Sequence, residues 1–282
     1  MSAACPEEFV QFAGALADAS GAVLRRHFRT PVAVEAKADA TPVTIADRQA
    51  EEALRAAIAA RYPDHGIVGE EFPPRAPDAA LVWVLDPIDG TRSFISGAPI
   101  FGTLIALVAE GRPILGIIDQ PILGERWIGA AGRPTRMNDR PARTSGRADL
   151  AEATLHTTSP DLFAGADADA FTRLRGTVGR TDYGWDCYAY AQLASGFVDL
   201  VVETGLKPHD FLALAPVVEG AGGRMTDWAG APLGPGSDGR VVAAATPDLN
   251  AAARRALGTG RSSAKDPTGS GDVPVATNGA AQ

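Results

Sequence analysis

The chain has 282 residues, of which 45% are hydrophobic, 21% charged and 6% aromatic, enough for a sizeable core in one large domain or two joined lobes. Lys+Arg 26 against Asp+Glu 34 leaves a net charge of −8, which argues against a nucleic-acid binder but leaves anionic substrates open, because carboxylate-bound cations reverse the local sign. The two cysteines, Cys5 and Cys187, cannot form a disulfide framework, so a reducing cytoplasm is expected.

The N-terminus, MSAACPEEF, has no basic segment followed by an apolar one, and no secretory signal is expected. Phe9, Phe12, Leu16, Val23, Leu24 and Phe28 recur near one helical face, predicting an amphipathic helix over 6–28 with Pro6 in its first turn. A turn-prone segment, 37–42, leads to Thr44-Ile45-Ala46-Asp47, a capping-box variant that opens a helix running to Arg61. Short apolar runs at 66–68, 81–85, 101–109, 113–119 and 126–130 are punctuated by Gly and Pro, as sheet strands are. The longest apolar stretch, 100–109, is far short of the roughly 20 residues a membrane span needs.

The second half alternates. Strands are expected at 153–158, 197–202 and 241–245, and helices at 168–175, 185–195 and 211–221. The pattern is a layered α/β chain. From Gly258 the sequence has few large apolar residues, and 258–282 is expected to be a disordered tail.

The stretch Trp83-Val-Leu-Asp86-Pro-Ile-Asp89-Gly-Thr91 carries the most chemistry. An apolar strand delivers two carboxylates three positions apart, a pair that suits a hard divalent cation such as Mg²⁺. A helix or tight turn opening at Gly90-Thr91 would aim free N–H groups at a phosphate. Read alone, Asp86 and Asp89 also fit turn residues at a strand exit. Glu70-Glu71 follows the apolar run 66–68, and Asp210 precedes the expected helix 211–221. Singly, these are an acidic turn and a helix cap. Residues 234–239 match GxGxxG without a strand before or a helix after, which reads as a turn. His27, His65, His156 and His209 show no zinc-site spacing. Cys187, in an apolar helix, reads as a buried thiol rather than a nucleophile.

Together, Glu70-Glu71, the hexapeptide Asp86-Pro-Ile-Asp-Gly-Thr91, and Asp210 followed by a helix ending in Ala221-Gly222-Gly223 resemble the inositol monophosphatase superfamily of metal-dependent phosphatases. The resemblance runs from about Phe9 to Leu257. Residues 184–190, 194–203 and 41–48 look most like the histidinol-phosphatase branch. His209 stands where Trp is frequent before the Asp, and is read as a packing variation beside a ligand.

The resemblance implies a layered αβαβα sugar-phosphatase fold over 1–257, with a metal- and phosphate-binding lobe over about 1–150 and a substrate-contributing lobe over 151–257. It implies two or three Mg²⁺ ions: Glu70, Asp86 and the Ile88 carbonyl around one, Asp86, Asp89 and Asp210 around a second, and Glu70 near a looser third. Thr91, bonded to Asp47, would orient or deprotonate the attacking water, and the Gly90 and Thr91 N–H groups would hold phosphate. Asp186 and Glu203, with Tyr188 and Thr158, are the candidate substrate contacts; read alone, Asp186 also fits a cap of the helix 185–195 and Glu203 a strand-end carboxylate facing water. The implied activity is hydrolysis of L-histidinol phosphate in histidine biosynthesis by a cytoplasmic homodimer, with no nucleic-acid or membrane partner. The alternatives are a phosphatase for inositol 1-phosphate or another small polyol phosphate, and an inactive metal- or phosphate-binding module.

Overall fold

Residues 4–31, 33–36 and 42–258 are described in the computed structural model. Apart from Gly258 the expected tail lies outside them, as do residues 37–41 of the turn-prone segment. Helix α1 (Glu7–His27) buries a stripe through Phe9, Ala13, Leu16 and Leu24, and its acidic first turn and basic last turn suit the helix dipole. Two short strands, β1 (Val34–Ala36) and β2 (Pro42–Thr44), pair antiparallel. Helix α2 (Ile45–Arg61) starts at the expected capping box: Thr44 N–H donates to Asp47 Oδ2 at 2.8 Å, and Ala46 N–H donates to Thr44 Oγ1 at 3.1 Å.

Seven strands then form one sheet in the order β3 (Gly66–Gly69), β4 (Leu81–Asp89), β5 (Gly102–Ala109), β6 (Arg112–Gln120), β7 (Glu125–Ala130), β8 (Arg136–Met137) and β9 (Arg140–Pro141). Only the β3–β4 pair is parallel. A short helix, α3 (Thr91–Ile95), leaves the end of β4. The second sheet, ordered β11-β10-β12-β14-β13, combines β10 (Thr154–Thr157), β11 (Arg180–Tyr183), β12 (Leu200–Glu203), β13 (Arg224–Thr226) and β14 (Val241–Ala244). Its helices are α4 (Ala166–Arg175), α5 (Asp186–Ala194), α6 (Pro208–Phe211), α7 (Leu214–Gly220) and α8 (Pro247–Leu257).

Side-chain alternation explains the layering. On β4, Trp83 and Leu85 join Leu16, Leu54 and Ile58 beneath α1 and α2, whereas Val82 and Val84 face the α5 and α7 side chains between the sheets. Both faces are buried, so the strand reads as a continuous apolar run. Beyond the second sheet, Phe171 and Leu174 of α4 and Leu249 and Ala253 of α8 cover Leu155, Val202 and Val242. The five layers are αβαβα, the expected fold. Among the described residues no helix is long and apolar enough to cross a membrane.

Two expected elements differ for local reasons, and one helix was not expected. The strand expected at 197–202 starts at Leu200, because Phe197 lies exposed in the turn after α5. The helix expected over 211–221 is two pieces. Pro216 has no N–H to give the Leu212 carbonyl, so the chain turns at 212–213 and restarts with Pro216 in the first turn of α7. Not anticipated from sequence is α8, although Thr246 caps it, Pro247 opens it and left-handed Gly258 ends it.

Helix α7 lies directly on the first sheet because two strand positions carry no side chain. A Cβ at Gly116 would sit 1.9 Å from the Ala213 carbonyl oxygen, and one at Gly129 2.2 Å from that of Pro216. Gly116→Ala should therefore cost about 1–3 kcal/mol in urea unfolding, the usual range for overpacking. Gly236→Ala, where nothing lies within 4 Å, should be near neutral. Equal stabilities for the two variants would contradict this packing.

Candidate active site

In a regular strand, residues three apart point to opposite faces, yet Asp86 and Asp89 both line one cleft of about 400 Å³. The pairing of β4 with β5 explains this. Asp86 lies opposite Leu104 and Asp89 opposite Gly102, so β4 carries one extra residue, a bulge. The bulge returns Asp89 to the Asp86 side and sends the Ile88 side chain into a buried cluster with Phe94 and Phe101. Pro87, past the last β3 partner, lacks only an N–H, and its carbonyl accepts from Thr103 Oγ1 at 2.8 Å. Asp86 Oδ1 accepts the Ile88 N–H at 3.0 Å, and Asp89 Oδ2 accepts the Cys187 N–H at 2.5 Å.

The parallel register of β3 and β4 ends at Gly69 opposite Leu85. The next residues on the two strands are Glu70 and Asp86, which the sheet thereby sets side by side. Fully buried Glu51 on α2 holds the turn: Oε2 accepts the Glu71 N–H at 2.8 Å and Oε1 the Arg55 Nε–H at 2.7 Å. Asp210 comes from the first turn of α6, where it accepts the Lys207 N–H at 2.7 Å. His209, read from sequence as a packing variation flanking a ligand, lies beside it. Its Nε2 is 3.3 Å from Asp210 Oδ1, and it lines the cleft with Glu70 and Asp86. Candidate ligand atoms of Glu70, Asp86 and His209 lie within 4.8 Å of one another, as do those of Asp86, Asp89 and Asp210.

At Gly90 the backbone turns left-handed, with φ 89°, and α3 begins. A side chain there would also meet Asp186, whose Oδ2 lies 2.7 Å from the Cβ position. Thr91 Oγ1 donates to the Ile88 carbonyl at 3.1 Å and stands 3.5 Å from Asp47 Oδ1. Asp47 Oδ2 takes the Thr44 N–H and hydroxyl, which leaves Oδ1 facing Thr91.

Burial pushes the Asp86 carboxyl well above the usual carboxylate range, and the charges of Glu70, Asp89 and Asp210 push it further. Burial does the same to Asp89, reinforced by Asp186 and Asp210. Asp210 is also raised by burial, against the opposing pull of His209 and Lys207. The site is short of positive charge. Its donor set, carboxylate oxygens converging from separate elements, is the kind that hard divalent cations take.

The four candidate substrate contacts separate. Asp186 lines the cleft, accepts from Ser93 Oγ at 3.0 Å, and is raised by burial. It begins α5 after left-handed Trp185, so it is not the helix cap. Glu203 is buried, with Oε1 taking the Thr158 N–H at 3.0 Å and Oε2 the Tyr190 hydroxyl at 2.8 Å. Thr158 lines the cleft. Tyr188 is not brought there: its hydroxyl donates to Glu125 at 2.8 Å and its ring meets Trp127 edge-on. Tyr190, two residues further along α5 and therefore on nearly the opposite face of the helix, lines the cleft instead. Cys187 is buried with its thiol pushed up, the state of an inert buried thiol rather than of a thiolate nucleophile.

Glu51, Tyr190 and His209 were missed by sequence reasoning. Glu51 left a signal, an acid within the α2 stripe Asp47, Ala50, Leu54 and Ile58 that is otherwise mostly apolar. His209 left none in spacing, because the fold alone brings it to Glu70.

Comparison with known proteins identifies the family. The model of the inositol monophosphatase family matches residues 6–259. The chloroplastic bifunctional phosphatase IMPL2 of Arabidopsis thaliana is 56% identical over 226 residues, 79% of this chain but 65% of that protein's length. A histidinol-phosphatase of Chlorobaculum parvum is 39% identical over 224 residues, 78% of this chain and 86% of its own. Among solved structures, an inositol monophosphatase from Zymomonas mobilis superposes with a TM-score of 0.83 at 48% identity, covering 89% of this chain and 98% of its own. The chain belongs to the inositol monophosphatase family and is a phosphatase, a phosphoric monoester hydrolase.

Proposed function

We propose that the chain hydrolyses L-histidinol phosphate to L-histidinol and inorganic phosphate, with Mg²⁺ held by Glu70, Asp86, the Ile88 carbonyl, Asp89 and Asp210. The observation that carries the reading is the convergence of these four carboxyls on one cleft, with a fifth, Asp186, on its wall. When bound, divalent cations offset the phosphoryl charge and lower the pKa of a coordinated water. The remaining work falls to the chain. The N–H groups of Gly90 and Thr91 hold phosphate oxygens at the start of α3, where first-turn donors lack helical partners. The Thr91 hydroxyl orients the attacking water. In this reading the Thr91 hydroxyl turns from the Ile88 carbonyl to Asp47 Oδ1, 3.5 Å away, and Asp47 takes the proton that Thr91 relays. Glu70 faces the same space from the end of β3. The two buried, unpaired cysteines suit the cytoplasm that this reading assigns.

Histidinol phosphate brings an ammonium and an imidazole. Asp186 is the better partner for the ammonium, because it lines the cleft and its burial, offset only in part by Ser93 and Arg92, keeps its charge costly. Glu203 also lines the cleft, and it holds Thr158 and Tyr190 in place with one hydrogen bond to each oxygen, which leaves acceptor sites for the amine. The Chlorobaculum parvum relative, a histidinol-phosphatase by name, supports this choice. The Zymomonas mobilis neighbour, an inositol monophosphatase at 48% identity, favours inositol 1-phosphate as the second reading.

The crowded carboxyls imply a pH dependence. An acid whose pKa is raised by folding keeps its proton longer in the folded state, so its contribution to stability falls as pH rises above the ordinary value of 3.8 through the folded one. With chelator present, Asp89→Asn should melt higher than the unsubstituted chain, by a margin that grows from pH 5 to pH 8. Saturating Mg²⁺ should reverse the order at pH 8. A difference that stays flat with pH would mean that the chain already compensates this charge.

Chelation should abolish turnover and Mg²⁺ should restore it, while Asp210→Asn should lose most of its kcat with little change in unfolding midpoint. Full activity in chelated protein would overturn the metal reading. For the substrate, kcat/KM should favour histidinol phosphate over inositol 1-phosphate at equal Mg²⁺. Asp186→Asn should cut the former roughly tenfold or more, since a charge-assisted hydrogen bond contributes about 1.5–3 kcal/mol. The latter should change much less. A preference for inositol 1-phosphate would replace the first reading by the second.

A further inference from the structure

The cluster contains one side chain that a purely oxygen-ligated magnesium site does not need. His209 opens α6 directly after Pro208, and the Lys207 N–H bond to Asp210 fixes this turn so that both His209 and Asp210 reach the cleft. The imidazole is only 11% exposed and lines the cleft. Its surroundings are carboxylates: Asp210 Oδ1 at 3.3 Å, and Glu70 and Asp86 with candidate ligand atoms within 4.8 Å. Three donors around one cation, each roughly 2.0–2.2 Å from it, lie about 3–4 Å apart. The three side chains thus need to close by up to about 1–2 Å, the scale of a side-chain rotation, to share an ion.

We propose that His209 supplies an imidazole nitrogen to the cation held by Glu70 and Asp86, making that half of the cluster a mixed nitrogen–oxygen site. The inference rests on the metal-dependent reading above and adds to it a donor and a selectivity. Mg²⁺ is a hard ion that prefers oxygen, whereas imidazole favours first-row transition ions. The Asp86, Asp89 and Asp210 half keeps its all-oxygen set. One cleft then holds two unlike sites that share Asp86, and the Glu70 half takes Mn²⁺, Co²⁺ or Zn²⁺ ahead of Mg²⁺.

The competing role for His209 is a hydrogen bond to Asp210 that only steadies this carboxylate. Pulsed electron paramagnetic resonance of the full chain loaded with Mn²⁺ separates the two without any activity measurement. A directly bound nitrogen gives a ¹⁴N coupling that ¹⁵N-histidine labelling replaces, a test that needs no variant. His209→Phe, which keeps a planar ring, should abolish the coupling. The same variant should weaken Mn²⁺ binding in calorimetry on the order of tenfold or more, with Mg²⁺ binding changed by less than about threefold. Mn²⁺ bound without a nitrogen coupling, or equal losses for the two ions, would overturn the assignment of His209 and leave the phosphatase reading standing. If neither ion binds the unsubstituted chain, both fail.

Discussion

Like charges brought together away from water repel, and the cleft gathers Glu70, Asp86, Asp89, Asp210 and Asp186 where burial weakens solvation. His209, Lys207, Ser93 and Arg92 offset only part of this repulsion, so the backbone must impose the gathering. The bulge between Asp86 and Asp89, the end of the β3–β4 register at Gly69, and the N–H groups of Ile88, Cys187 and Lys207 do so, each fixing one carboxyl through main-chain geometry. The resulting excess of negative charge is a stored cost that a cation offsets.

The layered architecture turns that constraint into a site. The ends of β3 and β4 meet the beginnings of α3, α5 and α6 at one edge of the central layer, so short segments from distant parts of the chain supply the cleft. The glycines at 116 and 129 let α7 lie against the sheet, and α5 packs beside α7 in the same layer. Glu51 ties the far side of α2 to the Glu70 turn. The rigid scaffold explains how an unfavourable arrangement persists.

Local chemistry in the sequence was enough for some features and not for others. The Thr44–Asp47 capping box, the α1 stripe and the strand-to-helix exit at Gly90 depend on neighbours within a few residues, and all three were legible. The bulge was not, because an extra residue on β4 exists only relative to β5. Strands β8 and β9 hold two residues each and are defined by pairing alone. Tyr188 and Tyr190 illustrate the same limit at the site. Both stand on the expected helix, but which one faces the cleft depends on how α5 is rotated against Trp127 and Glu203. His209 looked like a packing variant because sequence neighbours say nothing about Glu70, 139 positions earlier.

The central claim is that these carboxyls form a cation site that serves phosphate-ester hydrolysis. Anomalous diffraction from crystals grown with Mn²⁺ tests it most directly, because the signal locates the ions without reference to the protein model. Peaks are expected between Asp86, Asp89 and Asp210, and between Glu70, Asp86 and His209. An active protein whose crystals show no anomalous density in this cleft would contradict the account.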